Sequence, residues 1–378
     1  MLAAALGCGA AAAHKVTLLL PADDPRLARA AIERAAPGHP QGKVQDALRI
    51  ALAEAQPELA AAGTKLDLAV LEVADATAAR AAAVAAEKAG ASALVTDLPA
   101  AWTLAAAEAV QVIVLNAGQA ADALREAQCR RNLLHLAPSE RMKADALSQF
   151  LVARRWSNVL LLTGAAEADA ARSAAVLASI RRYGLKLVAH KRFLLSADPR
   201  ERDLANPLLL TGAAAGTYDV VWVVDSDGEF AMSLPFRTAL PRPVVGDAGL
   251  AALAWSAKFE RYGAPQVTRR LSKAVGRPMS AHDWPAWMAG KALAAAAIAT
   301  PKGPPATFAK ALAELELDGS KGVLMSFRPW DGQLRQPLLL SDGHGVAALA
   351  PLEGVLHPKN NLDALGADAP EKLCKART

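Results

Sequence analysis

The feature that most constrains the fold of this chain is a regular alternation of apolar runs with amphipathic stretches. Four early runs are predicted strands: 14–23, 64–75, 91–99 and 110–118. The stretches between them have helical spacing, with Val44, Leu48 and Leu52 on one face of the first. A βαβα order predicts a parallel sheet that helices cover on both faces.

The alternation restarts after residue 125. Four further runs are predicted strands: 157–164, 185–195, 218–230 and 242–250. The chain has 378 residues, and a domain usually holds about 100–200 residues. The sequence therefore predicts an α/β protein with two doubly wound, Rossmann-like lobes and a hinge between them.

The predicted division of the chain follows from this pattern. Its parts are a first lobe at 14–125 completed by part of 280–325, a second lobe at 126–280, and a C-terminal hairpin and tail near the hinge at 320–378. The hairpin is predicted from two strand-like runs around Asp331-Gly332, a frequent hairpin turn.

The N-terminal segment 1–13 reads as a signal-peptide remnant, because an apolar run precedes small residues. Cys8 follows a weak lipobox and is a candidate lipid anchor. The signal segment indicates a periplasmic protein. We expect it to be soluble, since no later stretch has the length of a membrane-spanning helix. We also expect a monomer. The net charge of +5 is spread along the chain, which argues against nucleic acid as a partner.

The chain contains three cysteines. If Cys8 is removed or lipidated, Cys129 and Cys374 form an even pair in an exported protein. A Cys129–Cys374 disulfide is then the favoured interpretation, and two unpaired buried thiols are the alternative.

Ligands of open α/β sheets bind beyond the carboxyl ends of the strands. The loops at those ends are 21–24, 97–102, 116–118, 163–164, 225–229 and 246–249. They contain no phosphate-binding, dinucleotide-binding or nucleophile-elbow motif, and the seven histidines lack metal-ligand spacing. We therefore predict a non-enzymatic binding protein without a metal site.

Cations at an unusual place mark the candidate site. Ser139 is a predicted N-cap, and Arg141 and Lys143 follow in the first turns of the helix, where the dipole disfavours positive charge. An anion in the cleft would explain them. Further candidate ligand contacts are Asn116 and Arg237 in loops, and Trp102, Trp255 and Trp287 near loops or helix starts.

Each candidate also has a plain structural interpretation. Arg141 can pair with Asp145 one turn later, and Lys143 can be an ordinary surface lysine. The tryptophans can pack in the core. A ligand interpretation instead requires cations and flat rings around a planar anion.

Two segments, 136–156 and 322–340, resemble type 1 periplasmic substrate-binding proteins of ABC importers, which include the branched-chain amino acid receptors. More narrowly, the segments 129–147, 234–250, 283–293 and 326–337 together resemble the subgroup associated with alcohol dehydrogenase systems that depend on pyrroloquinoline quinone (PQQ). The resemblance implies a receptor that holds PQQ between its lobes and passes it to an ABC permease in the inner membrane.

The resemblance also has departures and alternatives. The family's amino acid receptors use hydroxyl side chains in first-lobe loops, whereas 97–102 and 115–118 are short of hydroxyls here. PQQ is a planar tricarboxylate, and Lys143 would lie near its quinone carbonyl. A receptor for an amino acid or another small anionic solute is one alternative. A periplasmic accessory protein or enzyme of PQQ-dependent alcohol oxidation is the other.

Overall fold

The computed structural model describes residues 12–34, 36–212 and 216–377. Cys8 and most of the predicted signal segment 1–13 therefore lie outside the described residues. Positions 12 and 13 begin the first strand, opposite Thr64 and Lys65 of a parallel neighbour.

The first lobe is built on a five-stranded parallel sheet. Its strands are β1 (Ala12–Pro21), β2 (Thr64–Val73), β3 (Ala91–Thr96), β4 (Ile113–Asn116) and β5 (Leu133–His135). They are ordered β2-β1-β3-β4-β5. Strands β3 and β4 are buried along their whole length, as expected for strands that helices cover on both faces.

The helices of the first part of the chain connect these strands. They are α1 (Arg29–Glu33), α2 (Gln45–Glu54), α3 (Gln56–Ala61), α4 (Ala76–Lys88) and α5 (Ala100–Ala109). The single helix predicted over 41–63 is divided at Ala55, because Pro57 occupies the first turn of α3, where a missing N–H is tolerated.

The second lobe has a four-stranded parallel sheet. Its strands are β6 (Asn158–Thr163), β7 (Lys186–Arg192), β8 (Val220–Val224) and β9 (Val244–Gly246), in the order β7-β6-β8-β9. The helices of this region are α6 (Glu140–Ala153), α7 (Glu167–Arg182), α8 (Pro207–Leu210) and α9 (Glu229–Ser233).

The last part of the chain adds strands outside the parallel sheets. They are β10 (Ala251–Leu253), β11 (Glu316–Asp318), β12 (Leu324–Ser326), β13 (Leu338–Ser341) and β14 (Val346–Ala350). The remaining helices are α10 (Ala264–Val275), α11 (Asp283–Ala299) and α12 (Pro305–Ala313). Short 3₁₀ helices span Pro25–Leu27, Asp122–Leu124, Arg202–Ala205, Leu234–Phe236, Asn361–Ala364 and Ala369–Glu371.

Helix α11 returns to the first sheet. Its apolar side chains share one core with α2 and with β1 and β3. The two helices approach so closely that a Cβ at Gly290 would lie 2.5 Å from the Ala51 Cβ. The predicted division into 14–125, 126–280 and 320–378 stays a prediction, but the structure does place 283–299 against the first sheet.

A three-stranded antiparallel sheet joins the two lobes, with β13 between β10 and β14. Leu338 and Leu340 of β13 pack into the core of the second lobe, whereas Leu339 packs into that of the first. Alternate side chains of one strand therefore belong to different lobes, as the period of two in a strand allows.

The predicted hairpin around Asp331-Gly332 forms a short antiparallel pair, in which Arg328 donates to the Gln333 carbonyl and Arg335 donates to the Ser326 carbonyl, each at 2.9 Å. Gly332 donates to the Arg328 carbonyl, and Phe327 and Leu334 form one antiparallel bridge. The flanking strands then diverge, because β12 pairs with β11 and β13 pairs with β10 and β14. Pro337, which cannot donate to a strand ladder, precedes β13.

Candidate functional site

A cavity of about 400 Å³ lies between the two parallel sheets. Residues that line it occur in 26–40, 117–120, 137–147, 222–228, 246–254 and 281–285, with Arg172 and Val176 from α7. Several of these segments follow the carboxyl ends of β1, β4, β8 and β9, as expected for open α/β sheets. The volume is within the range of small-molecule sites, roughly 300–1,000 Å³.

The wall from α6 and α7 carries two paired cations. Lys143 Nζ lies 3.0 Å from Glu140 Oε1, and Arg172 Nε lies 3.5 Å from Glu140 Oε2. Burial alone would raise the pKa of Glu140, but the two cations lower it to about 2. Arg172 also donates a short hydrogen bond to Asp247. Both cations are therefore already neutralised.

Asp225 follows β8 and is a buried carboxylate without an ion pair among the described residues. Its Oδ2 accepts a hydrogen bond of 2.9 Å from the Ala231 amide. Burial raises the pKa of Asp225, and the nearby carboxylates of Asp247 and Asp169 raise it further. A cationic group of a ligand would relieve this repulsion.

The opposite wall contains a network around Arg26. Its guanidinium donates to both Asp24 and Asp97, and His282 Nε2 lies 2.8 Å from Asp97 Oδ2. Burial would raise the pKa of Asp97, but His282 and Arg26 hold it well below its usual range. Gly118 packs against this carboxylate, since a Cβ at Gly118 would lie 1.8 Å from Asp97 Oδ1.

Arg34 connects the two lobes across the cavity. Its Nη1 lies 3.0 Å from both Asp227 Oδ1 and Glu229 Oε2, which follow β8 in the second lobe. A Cβ at Gly228 would lie 3.0 Å from the Arg34 carbonyl oxygen, so the backbones also approach closely. The structure thus has the lobes in contact over the ligand cavity.

Of the eight ligand-binding residues predicted from the sequence, Lys143 lines the cavity. Ser139 is the predicted N-cap, and its Oγ accepts from the Met142 amide at 3.2 Å. Arg141 turns away from the cavity: it pairs with Glu371 at 2.8 Å, not with Asp145. Two cations that looked equivalent in the sequence therefore have different surroundings.

Asn116 is fully buried and shapes a loop rather than facing the cavity. Its Oδ1 accepts from the Gln119 amide at 2.8 Å, and its Nδ2 donates to the Gln119 carbonyl at 2.7 Å. These bonds fix the loop in which Ala117, Gly118 and Ala120 line the cavity. Its contribution to the site is therefore indirect.

The structure places the remaining predicted residues outside the cavity lining. Trp255 and Trp287 are 1% and 3% exposed in the core of the first lobe, where Trp255 donates to Thr268. Trp102 is half-buried against the other face of the first sheet, and Arg237 is exposed after a 3₁₀ helix. Ligand contact by these four side chains stays a prediction without geometric support.

Sequence reasoning missed most of the charged residues of the cavity. Asp225 and Asp247 lie in strand-end loops that the sequence indicates as ligand-binding, but the predicted ligand contacts were mainly cations and aromatic rings. Arg26 and His39 lie in the long β1–α2 connection, where Arg26 contacts the distant Asp97 and His39 contacts the Arg26 carbonyl. No local pattern reveals these contacts.

Cys129 and Cys374 form a disulfide with a Cα–Cα distance of 5.6 Å, the pairing favoured over free thiols. Within the described residues, no cluster of three or more His, Cys, Asp or Glu side chains is placed to hold a metal ion. None of the helices in the described part of the chain is long and apolar enough to cross a membrane.

Two parallel sheets that face one cavity, joined by a strand shared between both cores, define the fold of type 1 periplasmic binding proteins. A periplasmic binding protein from Burkholderia mallei has a similar structure, with a TM-score of 0.71, 13% identity, and coverage of 97% of this chain and 99% of that chain.

Two further solved structures are similar. A leucine-, isoleucine-, valine-, threonine- and alanine-binding protein from Brucella ovis, in a closed conformation, has a TM-score of 0.71 and 15% identity over 87% of this chain and 89% of that chain. An ABC transporter solute-binding protein from R. palustris in complex with benzoate has a TM-score of 0.65 and 15% identity over 89% and 96%. No protein-family model and no curated protein matches the sequence.

Proposed function

We propose that this chain is a periplasmic solute-binding protein that closes two lobes around a small ligand and delivers it to an ABC permease. The observation that carries the proposal is the cavity itself, which both lobes line and which Arg34 bridges by ion pairs. Hinge closure around a ligand is the usual motion of two-lobed receptors. The protein acts as a receptor rather than an enzyme in this proposal.

PQQ is the ligand candidate that the sequence resemblance supplies. Four cationic side chains line the cavity, namely Arg26, Arg34, Lys143 and Arg172. Lys143 supports this candidate most directly, because an amine in the lining can lie near a quinone carbonyl. Binding three ligand carboxylates requires that some of the protein's own ion pairs exchange partners.

A ligand with a cationic group, such as an amino acid, is the second candidate. Four carboxylates also line the cavity, namely Glu140, Asp225, Asp227 and Asp247. Three of the four cations, Arg26, Arg34 and Arg172, pair with further carboxylates at Asp24, Asp97, Asp169 and Glu229. These eight carboxylates outnumber the four cations, which favours an ammonium group on the ligand.

Calorimetry and thermal unfolding with PQQ, leucine and 4-hydroxybenzoate test the function and distinguish these ligands. A receptor should bind one of them at micromolar concentration, with a matching rise in melting temperature. If none binds while the protein turns over an alcohol with added PQQ, the receptor proposal is wrong and the enzyme alternative replaces it.

Lys143 gives a residue-level test of the PQQ candidate. Lys143→Ala should weaken PQQ binding about tenfold, because one charge-assisted contact is worth ~1.4 kcal/mol. Arg141→Ala is the matched control: it removes a cation two positions away on the same helix whose side chain pairs with Glu371. Equal affinity in the Lys143 variant and the wild type would exclude a role for Lys143 in binding.

A further inference from the structure

Two histidines line the first-lobe wall of the cavity, and each is fixed through one ring nitrogen. His39 Nε2 lies 2.8 Å from the Arg26 carbonyl oxygen, and His282 Nε2 lies 2.8 Å from Asp97 Oδ2. Arg26 also binds Asp97 through its guanidinium. The two imidazoles therefore belong to one hydrogen-bonded network on the same wall.

The partners determine which nitrogen carries the proton. A carbonyl oxygen and an ionised carboxylate only accept hydrogen bonds, so Nε2 of each ring must be the donor. Burial lowers the pKa of His39, and the charges of His282 and Arg26 lower it further, while the hydrogen bond to the Arg26 carbonyl and the charge of Asp24 act in the opposite direction. The net shift favours the neutral ring, in which Nδ1 carries a free lone pair.

The second nitrogen of each ring is unused by the protein. Neither Nδ1 atom has a hydrogen-bond partner among the described residues, and neither is among the buried atoms sealed from solvent. His135 differs in this respect, because its Nε2 is enclosed without a partner. Each free Nδ1 atom is therefore exposed, on a residue that lines the cavity.

We propose that His39 is a ligand-binding residue whose Nδ1 accepts a hydrogen bond from a donor group of the ligand, an ammonium, a hydroxyl or a ring N–H. This inference rests on the proposed receptor function and adds the group that the first lobe recognises. The excess of carboxylates around the cavity acts in the same direction, since donors with positive charge are favoured there. A ligand that offers only acceptors leaves the His39 Nδ1 unpaired, at a cost in affinity.

Nuclear magnetic resonance of the full protein with ¹⁵N-labelled histidine tests the inference directly. Long-range correlation spectra at neutral pH should show the Nε2–H tautomer for His39 and should show that both His39 and His282 donate through Nε2. Leucine, 4-hydroxybenzoate, benzoate and PQQ are then titrated as probes. A probe with a donor should shift the Nδ1 resonance of His39, whereas His190 and His344 should not respond.

A pair of variants distinguishes the ligand contact of His39 Nδ1 from the structural hydrogen bond of its Nε2. His39→Gln keeps an N–H near the position of Nε2 and removes the Nδ1 acceptor, so affinity for the bound probe should fall about tenfold. His190→Gln is the control, because His190 lies in β7 and bonds Thr163, outside the cavity lining. Affinity should be unchanged in that variant.

Two results would overturn the inference: an Nδ1–H tautomer at His39, or a donor-bearing probe that calorimetry shows to bind but that leaves the His39 Nδ1 resonance unmoved. The receptor function fails separately. If calorimetry detects no binding of any probe, the proposed function is wrong. The histidine tautomers can still be determined in that case, because their spectra are recorded on the ligand-free protein.

Discussion

His135 lies at the end of β5 and is fully buried. Its Nδ1 accepts a hydrogen bond of 3.0 Å from Asn116 Nδ2, so its proton resides on Nε2, which has no partner of normal geometry. Burial holds the pKa of His135 well below its ordinary value, and the positive charges of Arg125 and Arg377 lower it further. Protonation would therefore add an unpaired charge to the interior.

The pH dependence of stability follows from the sign of this shift. The folded protein binds the proton of His135 less tightly than the unfolded chain, so its contribution is complete above about pH 6.5 and is lost as the pH falls below that value. We predict that the free energy of unfolding decreases by up to about 1.4 kcal/mol per pH unit from this residue. Urea unfolding between pH 7 and pH 5 measures the slope.

His135→Asn keeps an acceptor for Asn116 and removes the titrating group, so the slope should become smaller even if the variant is less stable. His344→Asn, at an exposed loop, is the control and should retain the slope of the wild type. An identical slope in the His135 variant would show that other groups cause the acid sensitivity.

The sequence was least informative about the contacts of individual side chains. The Ser139 cap could be predicted because capping depends on local backbone groups. The different surroundings of Arg141 and Lys143 could not, because Glu371, which binds Arg141, is 230 positions away in the chain. The positions of Trp255 and Trp287 depend likewise on the packing of whole helices.

The connection between β1 and α2 is unusually long. It spans 22–44, whereas βα loops in compact domains usually have about 2–6 residues. It contributes Arg26, Arg34 and His39 to the cavity lining. Its contact with the second lobe through Arg34 is partly exposed, since the Asp227 and Glu229 side chains are 53% and 57% exposed.

We predict that Arg34→Gln loosens this connection without unfolding the protein. Partly exposed ion pairs contribute about 0.2–1 kcal/mol each, so amide exchange in the connection should accelerate by up to about tenfold. Hydrogen-exchange mass spectrometry of peptides from 22–44 measures the change.

Arg29→Gln is the matched control for this prediction. Arg29 belongs to the same connection, but its ion pair with Glu33 at 2.7 Å stays within α1. Equal acceleration in the two variants would mean that Arg34 does not hold the lobes together.

Elements with strong local signals were predictable. Eight of the nine strands of the parallel sheets overlap predicted strand runs, because buried strands are continuous apolar runs, as in β3 and β8. The exception is β5, which has three residues. The hairpin around Asp331-Gly332 is shorter than its two apolar runs indicate, since beyond the turn β12 pairs with β11 and β13 pairs with β10 and β14. A turn motif does not determine the partners of the strands beside it.

The disulfide crosslinks the C-terminal tail to the first lobe. Cys129 and Cys374 are separated by 245 positions. The tail also contacts the edge strand β5, because Arg377 Nη2 donates to the Leu133 carbonyl at 2.8 Å. The bond therefore closes a loop that contains the entire second lobe.

We predict that Cys374→Ser lowers the free energy of unfolding by about 2–5 kcal/mol, since removal of the crosslink frees a long loop in the unfolded chain. Urea unfolding with and without dithiothreitol measures the effect. The wild type should lose stability in the reductant, whereas the variant should not respond. A variant as stable as the oxidised wild type would show that packing of the tail suffices.

The return of α11 and α12 to the first sheet has a consequence for the order of folding. Residues such as Leu18 and Val95 share a core with Trp284 and Leu293, which the chain supplies only after the second lobe. A chain made from its N-terminus therefore lacks part of the cover of its oldest sheet until α12 has been synthesised. The second lobe waits as well, because its core contains Leu338, Leu340 and Leu365. Neither half of the molecule can be completed before the C-terminal region is made.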